Sequence, residues 1–133
     1  MRPVSLPLVV ALLAVASATA APVQITSNAY HDMHPELDGA TAVWQGEVGG
    51  STAREIFWSD VSQATLPVTQ ITTNSVDDRW PHVSGTTVVW EGEERRTAPP
   101  PLTYAIFKSD TGTTATTQVT TNALDDVSAR VSG

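Results

Sequence analysis

The stretch His31-Asp32-Met33-His34-Pro35-Glu36 places two imidazoles and two carboxylates within six residues. Zinc and similar ions take such ligands when several converge on one point in space. A metal site built from His31, Asp32 and His34 is therefore the first chemistry this sequence raises. Other familiar chemistries lack their residue sets. With three His and no Cys, nucleophilic catalysis has no evident base pair, and no serine elbow, phosphate loop or dinucleotide fingerprint occurs. No catalytic residue and no cofactor is assigned on these grounds.

Whether the histidines act together depends on the elements that carry them, and those elements repeat. Val23 to Gly46 and Thr69 to Gly92 match without a gap at 11 of 24 positions. A third copy begins at Thr117 with TQVTTNALDD and runs to Gly133. Arg54 to Asp60 (REIFWSD) and Tyr104 to Asp110 (YAIFKSD) match one another between the copies. His31 aligns with Asp77 and Asp125, His34 with Trp80 and Ser128, and Glu36 with His82 and Arg130, so the ligand types are not retained. Asp32 alone persists, as Asp78 and Asp126. A structural role is expected for it: accepting backbone N–H bonds and fixing the entry to the strand that follows. That role is preferred over the metal site.

Each repeat reads as four short strands, in Gln-Ile-Thr, in Pro-His-Val-Ser-Gly or Pro-Glu-Leu-Asp-Gly, in the β-branched and aromatic run around Trp44 or Trp90, and in Ile-Phe-x-Ser-Asp. No helical periodicity follows residue 20. Four strands in some forty residues is the period of a β-propeller blade. The residues Ile71-Thr72, Asp78-Arg79-Trp80-Pro81, Val83-Ser84-Gly85, Val89-Trp90, Ile106-Phe107 and Asp110 resemble the TolB-like propeller repeat. The chain departs from it where Asp38-Gly39 or Ser84-Gly85 replaces the usual Pro-Asp-Gly turn, and where Ala129 stands in place of the proline.

The expected fold is all-β, with four-stranded antiparallel blades over about residues 34–73 and 80–121 and the start of a third blade at 127–133. It implies an orphan outer strand at Val23 to Thr26 and an orphan inner strand at Val127 to Gly133. A ring needs at least four blades. The chain is therefore expected to be a truncated propeller, or one that self-associates through open blade edges.

Composition bounds the setting. Arg2, the apolar run from Val4 to Val15, and Ala18 and Ala20 before Ala21 have the layout of a secretory signal over residues 1–20. Its apolar run is too short to anchor in a bilayer. The exported product, in the periplasm, at the cell surface or outside the cell, would hold together without disulfides. Formal charge is −7, and loss of Arg2 makes it one unit more negative. With Lys108 the only lysine, a nucleic-acid partner is excluded.

The TolB-like resemblance implies that the Pro-x-Val-Ser-Gly strand is innermost. Glu36, His82 and Arg130 then share one inner-strand position and become candidates for binding a protein or small ligand, together with Trp80, Asp32 and Asp78. A second set, His31, Asp32, Glu47, Asp77, Asp78, Glu91, Glu93 and Glu94, is expected on one loop face, where acidic side chains are ordinarily solvated. Arg95 to Leu102 reads as a stiff loop. Trp44, Trp90, Phe57 and Phe107 are expected to pack the blades, while Trp58 and Trp80 break the repeat. The functional expectation is an exported non-catalytic binding module. The alternative is the propeller portion of a secreted peptidase or polysaccharide-fragment lyase, which the resemblance also implies.

Overall fold

The computed structural model describes residues 21–97 and 101–133. The expected signal sequence lies outside the described residues. Among these residues there are eight strands and no helix: β1 (Asp32–Asp38), β2 (Thr41–Glu47), β3 (Arg54–Asp60), β4 (Val68–Gln70), β5 (Asp78–Ser84), β6 (Thr87–Arg95), β7 (Leu102–Asp110) and β8 (Thr117–Gln118). They form two four-stranded antiparallel sheets, ordered β1-β2-β3-β4 and β5-β6-β7-β8.

The two sheets share one plan. Asp38 pairs with Thr41 and Ser84 with Thr87, leaving two-residue hairpin loops. Gly39 and Gly85 open those loops at φ 57° and 59°, backbone that glycine adopts without steric cost. The first strand of each sheet slips register at one place, between Met33 and Glu36 and between Arg79 and His82. At the longer turn between third and fourth strands, Asp60 accepts the backbone N–H of Ser62 and Asp110 that of Gly112, at 2.9 and 2.8 Å. These Asx turns reverse the chain in the same way in both copies.

The principal core lies between the sheets. Val43, Ile56 and Ile71 of the first pack against Val83, Val88 and Trp90 of the second, flanked by Trp58 and Phe107. Strand β5 runs against β1, β2 and β3, so it is the strand that joins the two sheets. Strand β2 is almost wholly buried, the polar Gln45 included, whereas β1 is mostly exposed. Enclosing Val43, Ile56 and Val88 completely stabilises the junction by about 1.5–3 kcal/mol for each side chain.

The two terminal strands are expected as orphans, without a partner in the chain. Val23 to Thr26 and Val127 to Gly133 join no ladder.

Candidate functional site

One cluster recurs in every copy and accounts for the persistent aspartate. Asn28, Asn74 and Asn122 donate from Nδ2 to Asp32, Asp78 and Asp126 at 2.9, 2.7 and 2.6 Å. Their Oδ1 atoms accept the backbone N–H of Tyr30, Val76 and Leu124. The indole Nε1 of Trp44 donates to Asp32 at 3.2 Å, and that of Trp90 to Asp78 at 3.0 Å. The aspartate is thus structural, but through side-chain donors from Asn and Trp in place of the expected backbone N–H groups. Phe57 stacks on Trp44 and Phe107 on Trp90. A Cβ on Gly92 would lie 2.7 Å from Asp78 Oδ1 and 2.6 Å from the Phe107 ring, which is why glycine follows the Trp-x pair.

A second set of bonds ties each copy to the next. The Gln45 side-chain oxygen accepts the Trp80 N–H at 2.7 Å, and Glu91, at the same repeat position, accepts the Ser128 N–H at 2.6 Å. Asp77 accepts the Arg54 N–H at 3.1 Å and its guanidinium at 2.6 and 2.8 Å. Asp125 likewise accepts the Tyr104 N–H at 3.0 Å. Asp38 accepts the Gly85 N–H at 2.6 Å. Gln45 escaped the reading of the sequence, although a Gln or Glu held between Trp and Gly in an otherwise apolar strand was its available signal.

The acidic loop face is not simply solvated. Asp77 pairs with Arg54, Glu91 with Arg79 at 3.2 Å, Glu93 with Arg95 at 2.9 Å, and Glu94 with Arg96. Arg79 also lies 3.6 Å above the Tyr104 ring. Arg54, Arg79, Arg95 and Arg96 therefore each have an acidic partner.

The positions that vary between copies behave differently. His34, Pro35, Glu36, Trp80, Pro81, His82 and Arg130 line a single cavity of about 280 Å³. His82 Nδ1 lies 2.7 Å from Glu36 Oε1. The rings of His34 and Trp80 meet at a centroid distance of 3.9 Å and a tilt of 51°. His34, Trp80 and Ser128 hold φ at 51°, 54° and 62°, left-handed backbone that is uncommon for residues other than glycine. In β1 and β5 this residue sits in the register slip, where the bulge re-aims the side chain. The conformation places His34 and Trp80 against one another, and such strain persists only where surrounding contacts enforce it. No carboxylate among the described residues pairs with Arg130, and the one acidic group in the cavity, Glu36, is engaged by His82.

Of the candidate binding residues, the structure therefore gathers Glu36, His82, Arg130 and Trp80, and places Asp32 and Asp78 elsewhere, in the Asn–Asp–Trp clusters. The His31, Asp32 and His34 side chains take separate partners: Glu47 at 3.7 Å, Trp44 with Asn28, and Trp80. Among the described residues no group of three metal-ligating side chains converges. A larger cavity of about 400 Å³ contains Asn74, Asp78, Trp90 and Phe107 in its wall, but its carboxylate is already bonded to scaffold donors.

Two buried carboxyls are shifted. Burial holds Asp78 above the ordinary carboxylate range despite hydrogen bonds from Asn74, Trp90 and Thr72. Burial also raises Glu55, opposed by the Thr72 hydroxyl and the Asn74 N–H and reinforced by the charges of Asp78 and Asp77. Glu55 stands where the second copy has Ala105, so it is a departure from the repeat in the interior. Compared with protein-family models, curated proteins and solved structures, the chain finds no match.

Proposed function

We propose that the chain is a run of TolB-like propeller blades, exported, that binds a protein or ligand through the inner-strand cavity and performs no catalysis itself. The observation that carries this reading is a division of labour within the repeat. Retained positions, Asn74, Asp78, Trp90 and their equivalents, are spent on scaffold bonds. Glu36, His82 and Arg130, the same repeat position in three copies, differ in type and meet in one cavity. Binding sites gather a few convergent polar groups on a concave surface, and a retained scaffold with variable lining lets specificity change without cost to the fold.

The lining suits an acidic group beside a flat apolar one. Arg130 offers a guanidinium fork for a carboxylate, and the exposed edge of Trp80 offers a ring for stacking. The test is titration with short aromatic peptides bearing a free terminal carboxylate, alongside the same peptides as C-terminal amides. Binding of the free acids, weakened about tenfold or more by Arg130→Ala and lost in Trp80→Ala, is the expected result. Equal binding of acid and amide, or no change with Arg130→Ala, would remove the cavity from this role.

A further inference from the structure

The junction between the two sheets is a template, and each of its halves recurs on an outer face of the pair. Ile71 and Val83 meet in the core between the sheets and are 6% and 9% exposed. Their repeat equivalents are Val119, on the far side of the second sheet, and Leu37, on the near side of the first, 54% and 63% exposed. The polar half recurs as well. The acceptors Gln45 and Asp38 have equivalents in Glu91 and Ser84. The N–H groups of Trp80 and Gly85 have equivalents in those of His34 and Gly39, which find no side-chain acceptor among the described residues.

We infer that the far face of the second sheet receives the near face of the first sheet of another copy of this chain, head to tail, and that residues 125–133 hold that place within the single chain. The segment makes the first bonds of such a junction, Ser128 N–H to Glu91 and Asp125 to Tyr104 N–H, and the Asp126 N–H bonds the Tyr104 carbonyl at 2.8 Å. It goes no further: it joins no ladder and leaves Val119 uncovered. A second copy brings an intact β1 with the same pattern of groups, plus Leu37 to set against Val119 as Val83 is set against Ile71. Because the two faces differ, the contact is heterologous, and it closes into a ring or extends as an open stack. The segment 125–133 then competes with association.

This inference rests on reading the sheets as stacking blades and not on the ligand cavity, so peptide binding that persists in a strictly monomeric protein would overturn it alone. Sedimentation velocity of the full chain across a concentration series is the experiment. Self-association is expected, weakened about tenfold or more by Leu37→Asp and by Val119→Asp, each of which puts a charge where an apolar contact would form. Ser128→Pro should strengthen it, because proline lacks the N–H that bonds Glu91 and cannot adopt positive φ. Thermal melts of each variant establish that the sheets remain folded. A monomer at every concentration, in both the parent chain and Ser128→Pro, would overturn the inference, as would association indifferent to Leu37→Asp and Val119→Asp.

Discussion

Asp32 and Asp78 occupy the same place in two copies and make the same bonds to Asn and Trp, yet one is exposed and the other is 2% exposed. The difference comes from packing, since the second sheet turns its cluster toward the first, whereas among the described residues no sheet packs over the cluster of the first. Local sequence dictates the cluster; a neighbouring sheet decides how much it matters to stability. A buried carboxylate with two committed donors cannot be removed without leaving those donors unsatisfied, whereas water replaces it at an exposed site.

The largest effect that sharpens this contrast is expected at the tryptophans. Trp90→Ala should cost roughly 3–5 kcal/mol in denaturant unfolding, because Trp90 is fully enclosed in the core between the sheets; Trp44→Ala, outside that core, should cost less. Asp78→Ala should cost about 2–4 kcal/mol by stranding Trp90 Nε1 and Asn74 Nδ2, against about 0.5–1 kcal/mol for Asp32→Ala. Equal losses at the two aspartates would break the comparison. Gly92→Ala comes next, at roughly 1–3 kcal/mol, since its Cβ would press on the Phe107 ring from 2.6 Å. Gly46→Ala should be milder, because the ring there is 3.2 Å away and the closest atom is an exposed carboxylate oxygen.

The smallest effect is in the pH dependence. Asp78 and Glu55 are raised, chiefly by burial, so the folded chain holds protons that the unfolded chain releases. Their contribution is complete below the ordinary carboxylate range and is lost as pH rises through the raised folded values. Asp60 and Asp110 run the other way. The Ser62 side chain and the Gly112 N–H lower them, so their contribution is present above the ordinary value and lost as pH falls through the lowered one. As pH rises above the ordinary carboxylate range, melts of Glu55→Gln should show a flatter decline in stability than the parent chain. An unchanged slope would show that Glu55 is not held protonated by its surroundings.

Much of the architecture was legible because the repeat is. Four strands per copy, the antiparallel order and the packing roles of Trp44, Trp90, Phe57 and Phe107 all follow from aligned β-branched and aromatic runs. The shared repeat position of Glu36, His82 and Arg130, which line one cavity, was legible for the same reason. The aspartate's partners were not. Trp90 reaches Asp78 from the neighbouring strand, and only the register between β5 and β6 brings them together. Nor could spacing reveal the left-handed backbone at His34, Trp80 and Ser128, since three unlike side chains carry no common signal for positive φ. The pairing of the acidic loops was not legible because Arg54 and Arg79 are distant in sequence from Asp77 and Glu91 and only the fold brings them together.

That two sheets meet face to face is most directly tested by a double-mutant cycle across the junction. Arg54, on β3 of the first sheet, and Asp77, the residue before β5 of the second, form a bidentate pair in which neither side chain is more than 29% exposed. Unfolding free energies of Arg54→Ala, Asp77→Ala and the double variant should give a coupling of about 1–2 kcal/mol. A coupling indistinguishable from zero, with all three variants folded, would mean that the sheets do not stack in this way.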